Sequence, residues 1–211
     1  MRVSLVTGGG RGIGRAIAHA LAGPDTCVAV AGRTRAELDS TAKDLERLGG
    51  KALAIEMDVT NEESVTAGMR ELGRTADHLD VLVNNAGIWL EGPRQLSDDG
   101  NELHFQVNYL SSFLLTRELL PLLRRSAPSR IVHVSSVAQQ PIDFGNVMLE
   151  DDYSDGRAYA QSKLAQIMFT FDLAEDLAGS GITTNAVHPA SMMDTDMVLE
   201  RGARARSSVH D

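Results

Sequence analysis

Short apolar runs alternate with longer stretches of helical periodicity along nearly the whole chain. The runs cover residues 3–7, 27–31, 52–56, 81–83, 130–135 and 183–188. Most are continuously apolar rather than alternating, which predicts strands covered on both faces. Between them lie stretches with readable helix signals. Thr34 with Glu37 and Thr60 with Glu63 have capping-box spacing. Residues 99–125 are apolar at helical spacing, with Pro121 expected to kink or end the helix. A further helix is expected over 156–178, stopped by Gly179 and Gly181. Such alternation predicts βαβ units and a doubly wound parallel α/β sheet. Residues 189–211 contain no seventh apolar run, so the sheet is expected to stop at six strands.

Length and composition narrow this picture modestly. The 211 residues suit one domain spanning 1–211, with no linker-like or repetitive segment. A net charge of −9, from 20 basic and 29 acidic residues, argues against nucleic acid or an anionic membrane as partner. No apolar run approaches bilayer length, and the opening MRVSLVTGGG breaks into glycines before it could form a signal-peptide apolar region. The single cysteine, Cys27, cannot form an internal disulfide and excludes a thiolate metal cluster. No two histidines have ligand-like spacing, so no metal is expected. His133, inside the fifth run, reads as a packed core or cleft-edge side chain. A cytoplasmic location is the expectation.

In open α/β sheets, ligands bind beyond the carboxyl ends of the strands. The first run is followed by TGGGRGIG, where Gly8, Gly12 and Gly14 let the backbone turn tightly and start a helix facing a pyrophosphate. The spacing is Gly-x-x-x-Gly-x-Gly, not the common dinucleotide fingerprint. After the second run, Gly32 and Arg33 stand where an acidic residue would grip the ribose 2′-hydroxyl of NAD. Together with Arg11 they favour a 2′-phosphate, hence NADP(H) over NAD(H). The remaining runs end in Asp58-Val59, NNAG (84–87), Ser135-Ser136 and His188-Pro189.

The motifs TGGGRGIG, NNAG, the paired serines of IVHVSS and YAQSK, in that order, resemble the short-chain dehydrogenase/reductase family over nearly the whole chain. The resemblance implies a Rossmann-type fold with strand order 3-2-1-4-5-6, a nicotinamide cofactor, and hydride transfer to or from a carbonyl or secondary alcohol carbon. It implies Tyr159 as general acid/base and Lys163, one helical turn later, as the cation that favours the phenolate and reaches the cofactor ribose. A free phenol has a pKa of about 10, so such a neighbour matters near neutral pH. Ser136 matches the position that steadies the substrate oxygen, with Ser135 as fallback. Asn108 matches the asparagine that holds Lys163 and a relay water. Implied cofactor contacts are Gly8, Gly10, Arg11, Gly12, Ile13 and Gly14; Arg33 and Thr34; Asp58 and Val59; Asn85, Ala86 and Gly87; Tyr159 and Lys163; and Pro189 and Thr195.

The chain also departs from the family pattern. Ser136 and Tyr159 are 23 positions apart, and the insert is similar to that of the retinol-dehydrogenase-like and protochlorophyllide-reductase-like branches. Ala190 stands in a glycine position, and Thr195 is displaced by one residue. The usual seventh strand is absent, so residues 190–211 are expected to form a substrate-side tail or flap. The sixth strand is then expected to be an open edge, unless a partner subunit covers it, and the pocket wall to be incomplete. The alternative function is a catalytically weak NADP(H)-binding or regulatory Rossmann protein. Apolar residues around more than one face of two long helices, Phe113, Leu114, Leu119 and Leu120, then Ile167, Met168, Phe169 and Phe171, suggest a homo-oligomer, either dimer or tetramer.

Overall fold

The computed structural model describes residues 1–190, 193, 195–199, 208 and 209. Of the expected tail over 190–211, the remaining positions lie outside the described residues. The elements follow one another as β1 (Arg2–Thr7), α1 (Gly12–Leu21), β2 (Thr26–Gly32), α2 (Arg35–Arg47), β3 (Lys51–Glu56), α3 (Glu62–Thr75) and β4 (Val81–Asn84). Then come α4 (Leu103–Phe105), a π-helical turn (Gln106–Leu110), α5 (Ser111–Arg125), β5 (Ser129–Val134), α6 (Asp155–Asp176), β6 (Ile182–Val187) and α7 (Asp196–Leu199). The six strands form one parallel sheet in the order β3-β2-β1-β4-β5-β6, the order the motifs implied.

The continuously apolar strands are buried on both faces. In β1, Val3 and Leu5 join a core with residues of α3, α5 and α6, including Val65, Leu119 and Phe169. Val6, on the opposite side, packs with Val28, Val30, Ala18 of α1 and Leu38 of α2. Period-two alternation therefore sorts one apolar run between two cores. Strand order reverses on either side of β1, where crossovers to β2 and to β4 leave a crevice at the carboxyl ends.

Three local expectations are narrowed or corrected. Pro121 does not end its helix, because α5 runs on to Arg125. The N–H it lacks would have met the carbonyl of Arg117, on an exposed side of the helix where water can serve. Thr60 does not cap α3. Its N–H and hydroxyl both donate to Asp58 Oδ1, at 2.9 and 2.7 Å, and Asn61 caps the helix instead by accepting from Ser64 N–H at 2.8 Å. The helix expected from residue 99 begins at Leu103, capped by Glu102, whose carboxylate accepts from the N–H groups of His104 and Phe105 at 3.1 and 2.8 Å. β6 is the outermost strand of the described sheet, and Thr183, Asn185 and Val187 along it are exposed.

Candidate active site

The turn after β1 is built by close packing. Gly8 has φ +65°, a conformation that favours glycine, and a Cβ there would stand 2.9 Å from Asn85 Nδ2. A Cβ on Gly14 would overlap the Gly8 carbonyl oxygen. The backbone of TGGGRGIG thus curls back on itself and opens α1, whose N-terminal N–H groups lack intrahelical partners and suit an anion. Thr7 and Asn85 staple this turn to the one after β4. Asn85 Nδ2 donates to Thr7 O at 2.8 Å, and the N–H groups of Asn85 and Ala86 both donate to Thr7 Oγ1 at 3.0 Å. Asn85 therefore commits its amide to shaping the cradle. Thr195 comes within reach of it too, since a Cβ on Gly12 would lie 3.6 Å from Thr195 Cγ2.

The other predicted contacts also stand at the carboxyl ends of the strands. Arg33 and Thr34 are exposed just beyond β2, and Arg11 is exposed in the glycine turn. Asp58 turns its carboxylate onto Thr60, while Val59 packs against the core. Pro189 follows β6 and is exposed.

The polar centre lies between β4, β5, the π-helical turn and α6. Tyr159 and Lys163 share the buried face of α6, with Lys163 Nζ 5.9 Å from the Tyr159 ring centroid. Lys163 Nζ donates to Val134 O at 2.9 Å, and burial lowers its pKa from 10.5 to about 8. Gly87 is the meeting point: a side chain there would stand 3.2 Å from Asn108 Oδ1 and 3.5 Å from Lys163 Nζ. Asn108 sits in the π-helical turn, a distortion that re-aims side chains and is frequent at functional sites. Its Oδ1 accepts from Ile88 N–H at 2.8 Å, and its Nδ2 donates to Ile88 O at 3.1 Å and to Ser162 Oγ at 2.9 Å. Asn108 reaches the helix of Lys163 through Ser162 rather than bonding the ammonium itself. Ser162 in turn donates to Tyr159 O at 2.7 Å.

The paired serines part company here. Ser135 is buried and donates to Lys163 O at 3.1 Å, tying β5 to α6. Ser136 is only partly buried, and its oxygen accepts from Ala138 N–H at 3.1 Å. Beneath Lys163, His133 is fully buried beside Asn84, and burial together with the Lys163 charge lowers its pKa from 6.5 to about 4. The insert before α6 is anchored, not loose. Leu149 is fully buried, Gln161 Nε2 donates to Val147 O at 2.7 Å and Arg94 Nε to Met148 O at 2.8 Å.

Sequence reasoning missed Ser162, the buried Glu102–His104 pair and Trp89, whose ring stacks on Tyr159. Trp89 had a signal, as the lone tryptophan two residues past NNAG. The others look like ordinary helix residues until the chain is folded.

The family model described as short chain dehydrogenase matches residues 2–205. The chain belongs to that family. Among its relatives is human retinol dehydrogenase 11, 41% identical over 195 residues, covering 90% of this chain and 61% of that protein. Human retinol dehydrogenase 12 is 38% identical over 192 residues, covering 89% of this chain and 60% of the relative. The chain thus spans about three fifths of the length of these relatives. Among solved structures, a 3-ketoacyl-ACP reductase from Sinorhizobium meliloti 1021 superimposes with TM-score 0.77 and 34% identity, over 92% of this chain and 73% of the other. A Pseudomonas aeruginosa RhlG/NADP active-site complex superimposes with TM-score 0.74 and 33% identity, over 89% and 71%.

Proposed function

We propose that this chain binds NADP(H) and serves as an oxidoreductase acting on a carbonyl or alcohol carbon, with Tyr159 moving the proton. The observation that carries this reading is the buried pair Tyr159 and Lys163, facing Gly87 and Asn108 at the carboxyl ends of β4 and β5. The cradle formed by Gly8 and Gly14, which a side chain would fill, fits a dinucleotide pyrophosphate. Arg33 and Arg11 support the 2′-phosphate form. When bound, the nicotinamide supplies or accepts the hydride.

The chain's own residues supply the remainder. Tyr159 Oη gives a proton to the substrate oxygen in reduction and takes it in oxidation. The Lys163 ammonium stabilises the phenolate left behind, and burial lowers its pKa to about 8. Ser136, partly open to the cleft, donates to the substrate oxygen and steadies developing negative charge. Asn108 and Ser162 hold the Gly87–Ile88 turn against α6 and so keep Tyr159 in register with it. The names of the relatives point to extended apolar alcohols and aldehydes. A cytoplasmic homo-oligomer remains part of the proposal; among the described residues, no helix is long and apolar enough to cross a membrane. Purified protein is expected to oxidise NADPH with members of an aldehyde and ketone panel, and Tyr159→Phe to abolish this. Undiminished turnover in that variant overturns the assignment.

A further inference from the structure

Trp89 is the chain's single tryptophan, and its indole lies on the phenol ring of Tyr159 with centroids 4.6 Å apart and 11° between the planes. That spacing is within the range in which aromatic rings attract. The backbone on either side of Trp89 is pinned. Asn108 holds both the N–H and the carbonyl of Ile88, at 2.8 and 3.1 Å. Leu90 N–H donates to His104 Nε2 at 2.9 Å. A backbone N–H can only donate, so Nε2 is the acceptor and the ring proton sits on Nδ1, where it donates to Glu102 Oε1 at 2.8 Å. The His104 and Glu102 side chains are 1% and 2% exposed. Two polar side chains from one helical segment thus fix a three-residue loop whose central side chain covers Tyr159. Burying a histidine and a carboxylate to hold a mere connection would be costly.

We infer that Trp89 is a positioning and specificity residue. It fixes the plane of the Tyr159 ring and gives the cleft beside the hydroxyl a flat apolar wall, which favours extended conjugated carbonyls over small ones. The inference rests on the oxidoreductase reading above. Tyr159 is 8% exposed, whereas Trp89 keeps part of its surface accessible, so a substrate reaching the hydroxyl passes the indole. With one face of the phenol covered, the substrate oxygen approaches from the ring edge or the other face.

The test compares wild type, Trp89→Phe and Trp89→Ala on cinnamaldehyde and propanal with NADPH. Trp89→Ala is expected to lower kcat/KM for cinnamaldehyde roughly tenfold more than for propanal, mainly through KM. Trp89→Phe should keep most of the wild-type preference. An equal loss on both aldehydes, or an unchanged ratio, overturns the specificity role. A second readout needs no turnover, because all tryptophan emission comes from Trp89. Tyr159→Leu is expected to shift that emission and to increase its quenching by acrylamide; unchanged emission and quenching overturn the stack. Wild type that reduces neither aldehyde, while Tyr159→Leu does shift the emission, sinks the oxidoreductase reading and upholds the stacking half of the inference.

Discussion

Ser135 and Ser136 are neighbours in the chain with unlike surroundings, and their variants should separate accordingly. Ser135 donates to the Lys163 carbonyl from a buried position, so Ser135→Ala should cost about 1 kcal/mol of stability and change kcat little. Ser136→Ala should leave the melting temperature in place and lower kcat by roughly 10²–10³-fold. Equal kinetic losses would contradict this division. His133 makes a second prediction at the scale of one residue. Its folded pKa of about 4 lies below the ordinary 6.5, so between these values the unfolded chain takes up a proton that the folded chain does not. Stability from this group is therefore complete above pH 6.5 and is lost as pH falls towards 4, by about 3 kcal/mol at most. Urea denaturation across that window should show a shallower acid slope in His133→Leu than in wild type. Parallel slopes would mean that the histidine is not buried neutral.

Among the elements, the segment α4 to α5 shows how a local irregularity can serve a site. The π-helical turn turns Asn108 towards Ile88 and Ser162, while Glu102 caps the start and orients His104. Glu102→Ala removes the acceptor for two helix N–H groups and strands the His104 proton, which should cost about 2 kcal/mol, seen as a lowered urea midpoint at unchanged m-value. Glu102→Gln keeps an acceptor oxygen and should lose less. A neutral Glu102→Ala variant would show that the cap is dispensable. Exposed Leu114, Met168 and Phe171 on α5 and α6 are consistent with the oligomer proposed, although Leu119 and Phe169, which carry the same signal in the sequence, point into the core.

At the scale of the whole molecule, cofactor binding should couple to stability because the glycine cradle, the β4 turn and Lys163 meet only in the folded sheet. NADPH at 100-fold its dissociation constant should add about 2.7 kcal/mol, a rise of roughly 5–10 °C in melting temperature. NADH at the same concentration should add less, and Arg33→Asp should narrow or reverse the difference. A wild type stabilised more by NADH would refute the role given to Gly32, Arg33 and Arg11.

The sequence by itself determined the sheet and the address of the candidate site. Strands buried on both faces must be continuously apolar, and those runs could be read directly; β2 from Thr26 to Ala31 is wholly buried. Three motifs at strand ends and YAQSK within α6, through their resemblance to the short-chain dehydrogenase family, then pointed to the glycine cradle and the Tyr159–Lys163 pair. Tertiary structure decided what local chemistry leaves open. Capping boxes look alike whether or not a nearer acceptor exists, so only the fold showed Asp58 capturing Thr60. Which serine faces the cleft depends on how β5 meets α6, and both serines suit the end of a strand. Glu102, His104 and Trp89 fall within a span of 16 residues yet have no shared sequence pattern. They form one device because the loop after β4 returns across the start of the next helix, and burial there rewards only side chains that satisfy one another.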